Sequence, residues 1–296
     1  MTHHYFMIVV LGFIFRFDHY GVSSFIRWLG LDCAVYLSLL HFFHADSWSL
    51  DTLMKHWIQW CSLNVPQERV QGRVVLLGDD IKVPKESRRQ PGMVSCHQES
   101  SVNSKPENFL GHVWGQIALL TGSPVKWFAT PLLASLQDGV NPLNQLQKEA
   151  VAKQTSVTRM VYLGIISAVA MGCPAYLVLD AYFATGPAFL AASQFMVDGK
   201  PWIHLITKGK NSYVAYACEA FAHKGRNYGI KLWDIFQHQE FFTTTKHPLK
   251  GDPMSYYCMN LFWPPASTTL RFVWVIHGKG LFLLMGSDLT LAPREM

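Results

Sequence analysis

The chain has 296 residues, of which 50% are hydrophobic and 15% are charged. This length suits one large domain or two modest ones, and the composition excludes both a disordered chain and a polytopic membrane protein. The net charge of +5, with a pI of about 8.8, permits a polyanionic partner without requiring one.

The first predicted element is an apolar run over residues 5–15, which Arg16 and Asp18 end. A membrane-spanning helix needs about 20 apolar residues, so the run predicts a helix buried in the protein. No small-residue cleavage site follows it, so we do not expect export.

The six cysteines form no Cys-x-x-Cys pair, and we interpret them as reduced core residues of a cytoplasmic protein.

Residues 1–70 are predicted to form a small helical domain. His41 and His44 share a helix face near Asp46, but their apolar neighbours favour a packed helix over a metal site. Farther along, apolar side chains recur at helical spacing, namely Leu50, Leu53, Met54, Trp57 and Cys61.

Residues 71–211 change to short buried strands separated by helices. Strands are predicted at residues 74–77, 113–120, 127–130, 176–179 and 202–206, and helices at 157–170 and 187–196. Gly172 and Pro174 should end the first of these helices. The predicted order of elements is three strands, a helix, a strand, a helix and a strand. This is the order of an RNase H-like α/β fold, which has a mixed sheet with flanking helices. Many other α/β domains share this order loosely.

Residues 212–296 are predicted to form a strand-rich insertion. The candidate strands are residues 213–216, 270–276 and 281–285, and Gly278-Lys279-Gly280 is typical of a hairpin turn.

The candidate chemistry lies at Asp79 and Asp180, each of which follows an apolar run of four residues. If the two strands are neighbours, the carboxylates converge, and paired carboxylates suit Mg²⁺. The other reading is that Asp180 caps the following turn and Asp79 belongs to an ordinary loop.

Short motifs surround both aspartates. Near Asp79 they are residues 78–86 (GDDIKVPKE), 97–100 (HQES), 103–107 (NSKPE) and 111–112 (GH). Near Asp180 and the end of the chain they are residues 179–183 (LDAYF) and 286–291 (GSDLTL), with residues 21–27 (GVSSFIR) at the start. Together they resemble a group of DDE-type insertion-sequence transposases, and the resemblance covers nearly the whole chain.

The resemblance implies that Asp79 and Asp180 bind catalytic Mg²⁺ or Mn²⁺. It implies cut-and-paste DNA transposition, in which phosphodiester hydrolysis nicks the element's end and a 3′-hydroxyl then joins that end to a target. The partner would be double-stranded DNA, both transposon ends and target, and the activity is compatible with a homodimer. Asp80 stands where the family leads us to expect glycine.

The family pattern continues after residues 286–291 into Tyr-x-x-Arg-x-x-x-Glu, whose glutamate completes the metal site. The sequence stops at Met296 before it, and Glu295 comes too early for that role. We therefore expect this chain to be a C-terminally truncated transposase with weak or no activity. Two alternatives stay open: a DNA-binding remnant without catalysis, and a nuclease whose third ligand is Asp80 or Asp288.

Basic residues near the aspartates are predicted to contact DNA phosphates, with an ordinary solvated surface as the alternative. They are Lys82, Lys85, Arg88, Arg89 and Lys105 beside Asp79, and Lys208 and Lys210 after the last core strand.

Some relatives hold a displaced base with an aromatic residue of the insertion. For Trp233 and Trp263 we favour core packing.

Overall fold

The structure is a computed structural model that describes residues 2–18, 21–45, 49–85, 90–97, 107–123, 126–137, 155–248 and 250–296. The chain divides into two compact units, Met1–Leu53 and Met54–Met296. The boundaries expected near residues 70 and 211 stay predictions. Among the helices of the described residues, none has the length and apolar character needed to cross a bilayer.

The first unit is helical. It contains α1 (Thr2–Phe15), α2 (Val22–Trp28), α3 (Val35–His44) and the first residues of α4 (Leu50–Asn64). Its core is formed by Val9, Phe25, Leu39 and Phe42.

The burial predicted for residues 5–15 is wrong. Val9 is 7% exposed, but Phe13 and Ile14 are 54% and 65% exposed. Helix α1 is apolar around its whole circumference, and the short helices α2 and α3 pack along only part of it. Apolar composition predicted the helix correctly and its burial incorrectly.

The second unit contains the rest of the described elements. Its helices are α5 (Ser156–Met171), α6 (Gly186–Gln194) and α7 (Glu219–His223). Its strands are β1 (Arg69–Val70), β2 (Arg73–Pro84), β3 (Val94–His97), β4 (Asn108–Ser123), β5 (Lys126–Leu136), β6 (Ala175–Leu179), β7 (Met196–Val197), β8 (Lys200–Pro201), β9 (Ile203–Lys208), β10 (Val214–Ala215), β11 (Ile230–Lys231), β12 (Thr243–Lys246), β13 (Pro253–Trp263), β14 (Thr268–His277) and β15 (Gly280–Gly286).

Eleven of the described strands form one mixed sheet. Its order is β12-β13-β14-β15-β9-β6-β2-β4-β3, with β1 paired to β2 and β5 paired to β4. Strands β2, β6 and β9 are parallel to one another, and β2, β4 and β5 are successively antiparallel. The path β5-β4-β2-β6-β9 is therefore the strand arrangement expected of an RNase H-like core, and the predicted α/β fold class is confirmed.

Helix α5 packs on one face of this sheet and contributes to the central core. Thr155 caps its first turn by accepting a hydrogen bond of 3.3 Å from the Thr158 amide. Gly172 ends it in the left-handed conformation, with φ of 69°, which confirms the predicted stop. The apolar stripe of α5 packs against the central strands, with Met160, Val161, Leu163, Ile165 and Ala168 buried.

The strands after residue 212 continue the same sheet. Strand β15 pairs antiparallel with β9, and β14, β13 and β12 follow outward. Gly186 at the start of α6 packs against the turn at Pro264–Ala266, where an added Cβ would lie 1.7 Å from the Pro265 carbonyl oxygen. The strand-rich segment is thus joined to the core through both sheet pairing and a glycine contact.

The cysteines are only partly the core residues that we expected. All six are free thiols, and Cys61 and Cys96 are buried, but Cys33 and Cys218 are exposed. The last two lie at helix starts, where one side of the chain faces solvent.

Candidate functional site

Asp79 and Asp180 lie at matching positions on two neighbouring parallel strands. Strand β2 pairs with β6 up to Gly78 opposite Leu179, so the next residue of each chain segment is an aspartate. Because side chains alternate between the two faces of a sheet, both carboxylates lie on the same face. Both residues are exposed. The structure therefore brings the two predicted metal ligands together.

Gly78 explains how the two strands approach closely at this level. A Cβ at Gly78 would lie 2.4 Å from a Leu179 methyl group and 3.1 Å from the Met160 sulfur atom. A larger side chain would push β2 away from β6 or from α5. Glycine thus maintains the register that places Asp79 beside Asp180.

The prediction that a strand ends at each aspartate is right for Asp180 and wrong for Asp79. Strand β6 ends at Leu179, but β2 continues to Pro84, because β4 pairs with it as far as Gly111. Asp79 lies opposite Gln116 in that pairing.

Asp180 also caps the turn that follows it, as the alternative reading expected. Its Oδ1 accepts a hydrogen bond of 2.9 Å from the Tyr182 amide, at the start of a 3-10 turn over Ala181–Phe183. The Oδ1 of Asp79 accepts one of 2.8 Å from the Asp80 amide. Each interaction uses one oxygen of a carboxylate, so capping does not exclude a cation.

The backbone at Asp180 is held from the adjacent strand. The buried hydroxyl of Thr207 on β9 donates a hydrogen bond of 2.6 Å to the Asp180 carbonyl oxygen. The end of β6 is therefore fixed on both sides, by β2 and by Thr207.

Two exposed carboxylates at adjacent strand positions fit Mg²⁺ or Mn²⁺. Such ions take one or two carboxylates and complete their coordination with water and substrate phosphate oxygens. Within the described part of the chain, no group of three His, Cys, Asp or Glu residues is placed to hold a metal ion.

The other carboxylates named from the sequence lie elsewhere. Asp80 follows Asp79 directly on β2 and so faces the opposite side of the sheet. Asp288 accepts a hydrogen bond of 2.7 Å from the Tyr176 hydroxyl. Glu295 accepts one of 2.9 Å from Gln71, at the other end of β2. None of them joins Asp79 and Asp180 in this arrangement.

Of the predicted phosphate-binding residues that the structure describes, Lys208 is the one placed in line with the carboxylates. Leu179 pairs with Thr207, so Lys208 follows at the position that corresponds to Asp180 and lies on the same sheet face. Its ammonium lies 5.6 Å from the ring centroid of Phe282. Lys210 is exposed two residues later.

The remaining basic residues are placed differently or are not described. Lys82 lies on the opposite face of β2 from Asp79 and donates a hydrogen bond of 3.3 Å to the His97 carbonyl oxygen. The Lys85 amide continues the pairing with Leu110. Arg88, Arg89 and Lys105 lie outside the described residues, as does Asp46 near the two N-terminal histidines.

A polar cluster around Asp288 anchors the residues after β15 on the same sheet face. Besides the bond from Tyr176, Asp288 accepts hydrogen bonds of 2.9 and 2.7 Å from the amide and hydroxyl of Thr290. The Ser287 hydroxyl accepts one of 3.0 Å from the Leu205 amide and lies 3.2 Å from Nδ1 of His204. The sequence signal was a pair of polar side chains, Tyr176 and His204, inside apolar strands.

The electrostatics of this cluster favour a charged aspartate beside a neutral histidine. Burial raises the pKa of Asp288, but the hydrogen bonds from Tyr176 and Thr290 outweigh it and hold the pKa below the usual value. Burial lowers the pKa of His204 despite the nearby Asp288 carboxylate. Burial and the bond to Asp288 raise the pKa of Tyr176, so its hydroxyl stays a donor.

The tryptophans of the strand-rich segment pack in the core, as favoured. Trp263 is 2% exposed and contacts Phe189 and Tyr213, with ring centroids 5.9 and 5.1 Å away. Trp233 is partly buried against the same core.

Comparison with known proteins adds little. No protein-family model matches the chain, and no curated protein matches it. Among solved structures, the NurA nuclease from Sulfolobus solfataricus is similar, with 11% sequence identity and a TM-score of 0.33 over 89% of this chain and 84% of that one. A likeness this weak supports no inference about function.

Proposed function

We propose that this protein acts on phosphodiester bonds of DNA, with Asp79 and Asp180 as the ligands of a divalent cation. One observation carries the proposal: both carboxylates emerge on the same sheet face at matching positions of two adjacent parallel strands. Two aspartates in unrelated loops would not be expected to occupy matching positions of adjacent strands. In a core with the β5-β4-β2-β6-β9 order, this position is at the end of the central parallel strands, where ligands commonly bind in open α/β sheets.

The more specific proposal is DNA transposition of the DDE type. Its support is the sequence resemblance of residues 78–86, 179–183 and 286–291. In the structure, the first two segments carry the paired carboxylates and the third anchors the chain on the same sheet face. Three motifs distant in sequence thus contribute residues to one face of one sheet.

The chain's own residues have distinct roles in this proposal. Asp79 and Asp180 hold the cation, Gly78 and Thr207 fix their backbones, and Lys208 binds a substrate phosphate. When bound, Mg²⁺ or Mn²⁺ would activate the attacking hydroxyl or water and stabilise the leaving oxygen.

A second candidate is a DNA-binding protein without catalysis. The observation that favours it is the lack, within the described residues, of a third metal-ligating side chain beside Asp79 and Asp180. Binding through Lys208 and Lys210 needs no cation.

A cleavage assay separates the two candidates. Labelled DNA is incubated with the full chain and Mg²⁺ or Mn²⁺, and weak nicking is expected from the wild type. Asp180→Asn should reduce nicking to the metal-free background, whereas Asp198→Asn, at an exposed aspartate of the β7–β8 turn, should not. Binding without nicking would favour the second candidate, and equal nicking by wild type and Asp180→Asn would refute the assigned site.

A further inference from the structure

One row of side chains crosses the sheet at the level of the two carboxylates. Asp79 pairs with Gln116 of β4 on one side, and Lys208 of β9 lies at the position that corresponds to Asp180 on the other. Because directly paired residues point to the same face of a sheet, Gln116 lies on the face of Asp79 and Asp180. The carboxylate pair is thus flanked by a side-chain amide on β4 and by an ammonium on β9.

Gln116 has one polar neighbour on that sheet face. This neighbour is Asp79 on β2, and the Cβ atoms of residues paired in this way lie about 4.5–5.5 Å apart. The other neighbours on β2, β4 and β5 are apolar, namely Leu77, Ile81, Trp114, Ala118, Ala134 and Leu136. Gln116 is half-buried, and none of the described residues hydrogen-bonds to its side-chain amide. Within the described part of the chain, Asp79 is therefore the polar group that this amide accompanies.

An amide oxygen beside a pair of carboxylates suits a hard divalent cation. Mg²⁺ and Mn²⁺ take oxygen ligands, which include carbonyl oxygens as well as carboxylates and water. The described residues place no third His, Cys, Asp or Glu with Asp79 and Asp180 to hold a metal ion. Gln116 belongs to none of these four residue types, and its side chain offers an oxygen in the same row.

We propose that the side-chain oxygen of Gln116 is a third protein ligand of the cation at Asp79 and Asp180. The proposal rests on the proposed function for the presence of that cation. A neutral ligand leaves more net positive charge on the site than a third carboxylate would. Since Gln116 occupies the β4 side of the row, the β9 side, where Lys208 lies, is left for a substrate phosphate.

Two substitutions at Gln116 separate a ligand from an ordinary surface glutamine. Gln116→Leu removes the oxygen and keeps a side chain of similar size. Gln116→Glu keeps an oxygen at the same distance from the backbone and adds a negative charge. The matched control is Gln194→Leu, because Gln194 is an exposed glutamine at the last residue of α6.

The test is calorimetric titration of the full chain with Mn²⁺ in the absence of DNA, beside urea unfolding of the metal-free protein. Gln116→Leu should weaken Mn²⁺ binding roughly tenfold, the scale on which supporting groups of a metal site contribute. It should unfold at a urea concentration no lower than wild type. Gln116→Glu should bind Mn²⁺ more tightly than wild type, because a carboxylate replaces a neutral oxygen. Gln194→Leu should bind as wild type does.

The outcomes distinguish this proposal from the proposed function. Wild-type Mn²⁺ affinity in Gln116→Leu, with binding lost in Asp79→Asn and Asp180→Asn, would overturn Gln116 as a ligand and leave the two-aspartate site standing. Weaker binding in Gln116→Glu, or an equal loss in Gln194→Leu, would also overturn it. If Gln116→Leu is less stable to urea, Gln116→Glu decides, since it retains the oxygen. A wild type that binds no Mn²⁺ would overturn the site and this proposal together.

Discussion

The carboxylate of Asp180 has two oxygens, and the turn after β6 uses one of them. Its Oδ1 accepts the Tyr182 amide, while Asp79 stands at the matching position on β2. Asparagine caps a helical turn about as well as aspartate but carries no charge. Substitutions at Asp180 can therefore separate its structural contribution from its proposed role as a ligand.

We predict that Asp180→Ala destabilises the fold and that Asp180→Asn barely does. Loss of a capping side chain costs about 1 kcal/mol of unfolding free energy, and the asparagine side chain keeps the bond to Tyr182. Urea unfolding of the two variants measures the difference. Equal stability of both would show that the cap contributes nothing at this turn.

A second prediction concerns the pH dependence of stability at His204. Its pKa is lowered from 6.5 by burial, so the unfolded chain binds the proton more readily than the folded chain. The neutral imidazole of His204 stabilises the folded state fully at pH values above 6.5. This stabilisation is lost as the pH falls through the lowered pKa of the folded protein. The free energy of unfolding should therefore decrease as the pH falls below about 6.5. His204→Gln should reduce this slope.

The slopes are measured by urea unfolding at a series of pH values. An identical slope in wild type and His204→Gln would contradict the assignment. Asp288 acts in a separate range, because its lowered pKa means that its contribution is lost only at pH values below about its usual 3.8.

At the scale of elements, the residues after β15 are anchored by side chains and by one backbone hydrogen bond of 3.0 Å, which the Ser287 amide donates to the Leu205 carbonyl oxygen. Ser287 and Asp288 bond to Leu205 and Tyr176, on the two strands that lead to Lys208 and Asp180. The anchored segment therefore lies on the same sheet face as the candidate site, a few residues back along the strands.

Tyr176→Phe should release this segment. The change removes one donor from the buried Asp288 carboxylate, and such a loss costs about 1–3 kcal/mol. Hydrogen exchange should increase at the amide of Thr290, which also bonds to Asp288. Phe substitution at Tyr228, an exposed tyrosine, serves as the control. Unchanged protection of Thr290 in Tyr176→Phe would refute the anchor.

Sequence patterns predicted the central elements well because each combines an apolar run with a clear stop. The helix at residues 157–170 and the strand at 176–179 are examples, and both are confirmed within one residue at each end. Strand β13 was missed, since Tyr256–Met259 are all half-buried and show no alternation. The strand predicted at 213–216 is reduced to Val214–Ala215, which pairs with β11 over two residues, while Tyr216 forms an isolated bridge with Phe262.

The site was predictable only in part, for reasons that lie in strand pairing. Apolar runs indicated Asp79 and Asp180, but their shared register depends on β2 pairing with β6 across a long stretch of sequence. The position of Lys82 on the opposite face follows from β2 continuing past Asp79, which the Gly-Asp-Asp sequence did not suggest. The pairing of β15 with β9 likewise has no local sequence signal.

At the scale of the whole molecule, the candidate site belongs to the second compact unit, Met54–Met296. The sheet, helix α5 and the anchored segment all lie within it. We predict that residues 49–296, which retain α4, fold without the first three helices. A single cooperative thermal transition and a mixed α/β circular dichroism spectrum would be the expected result. A chain that is unfolded or shows no cooperative transition would contradict this division.

The central claim is that Asp79 and Asp180 together hold one divalent cation, and calorimetric titration with Mn²⁺ tests it most directly. The account predicts one site in wild type, loss of that site in Asp79→Asn and in Asp180→Asn, and its retention in Asp198→Asn. An isotherm that is the same for wild type and both site variants, or no binding by the wild type, would contradict it.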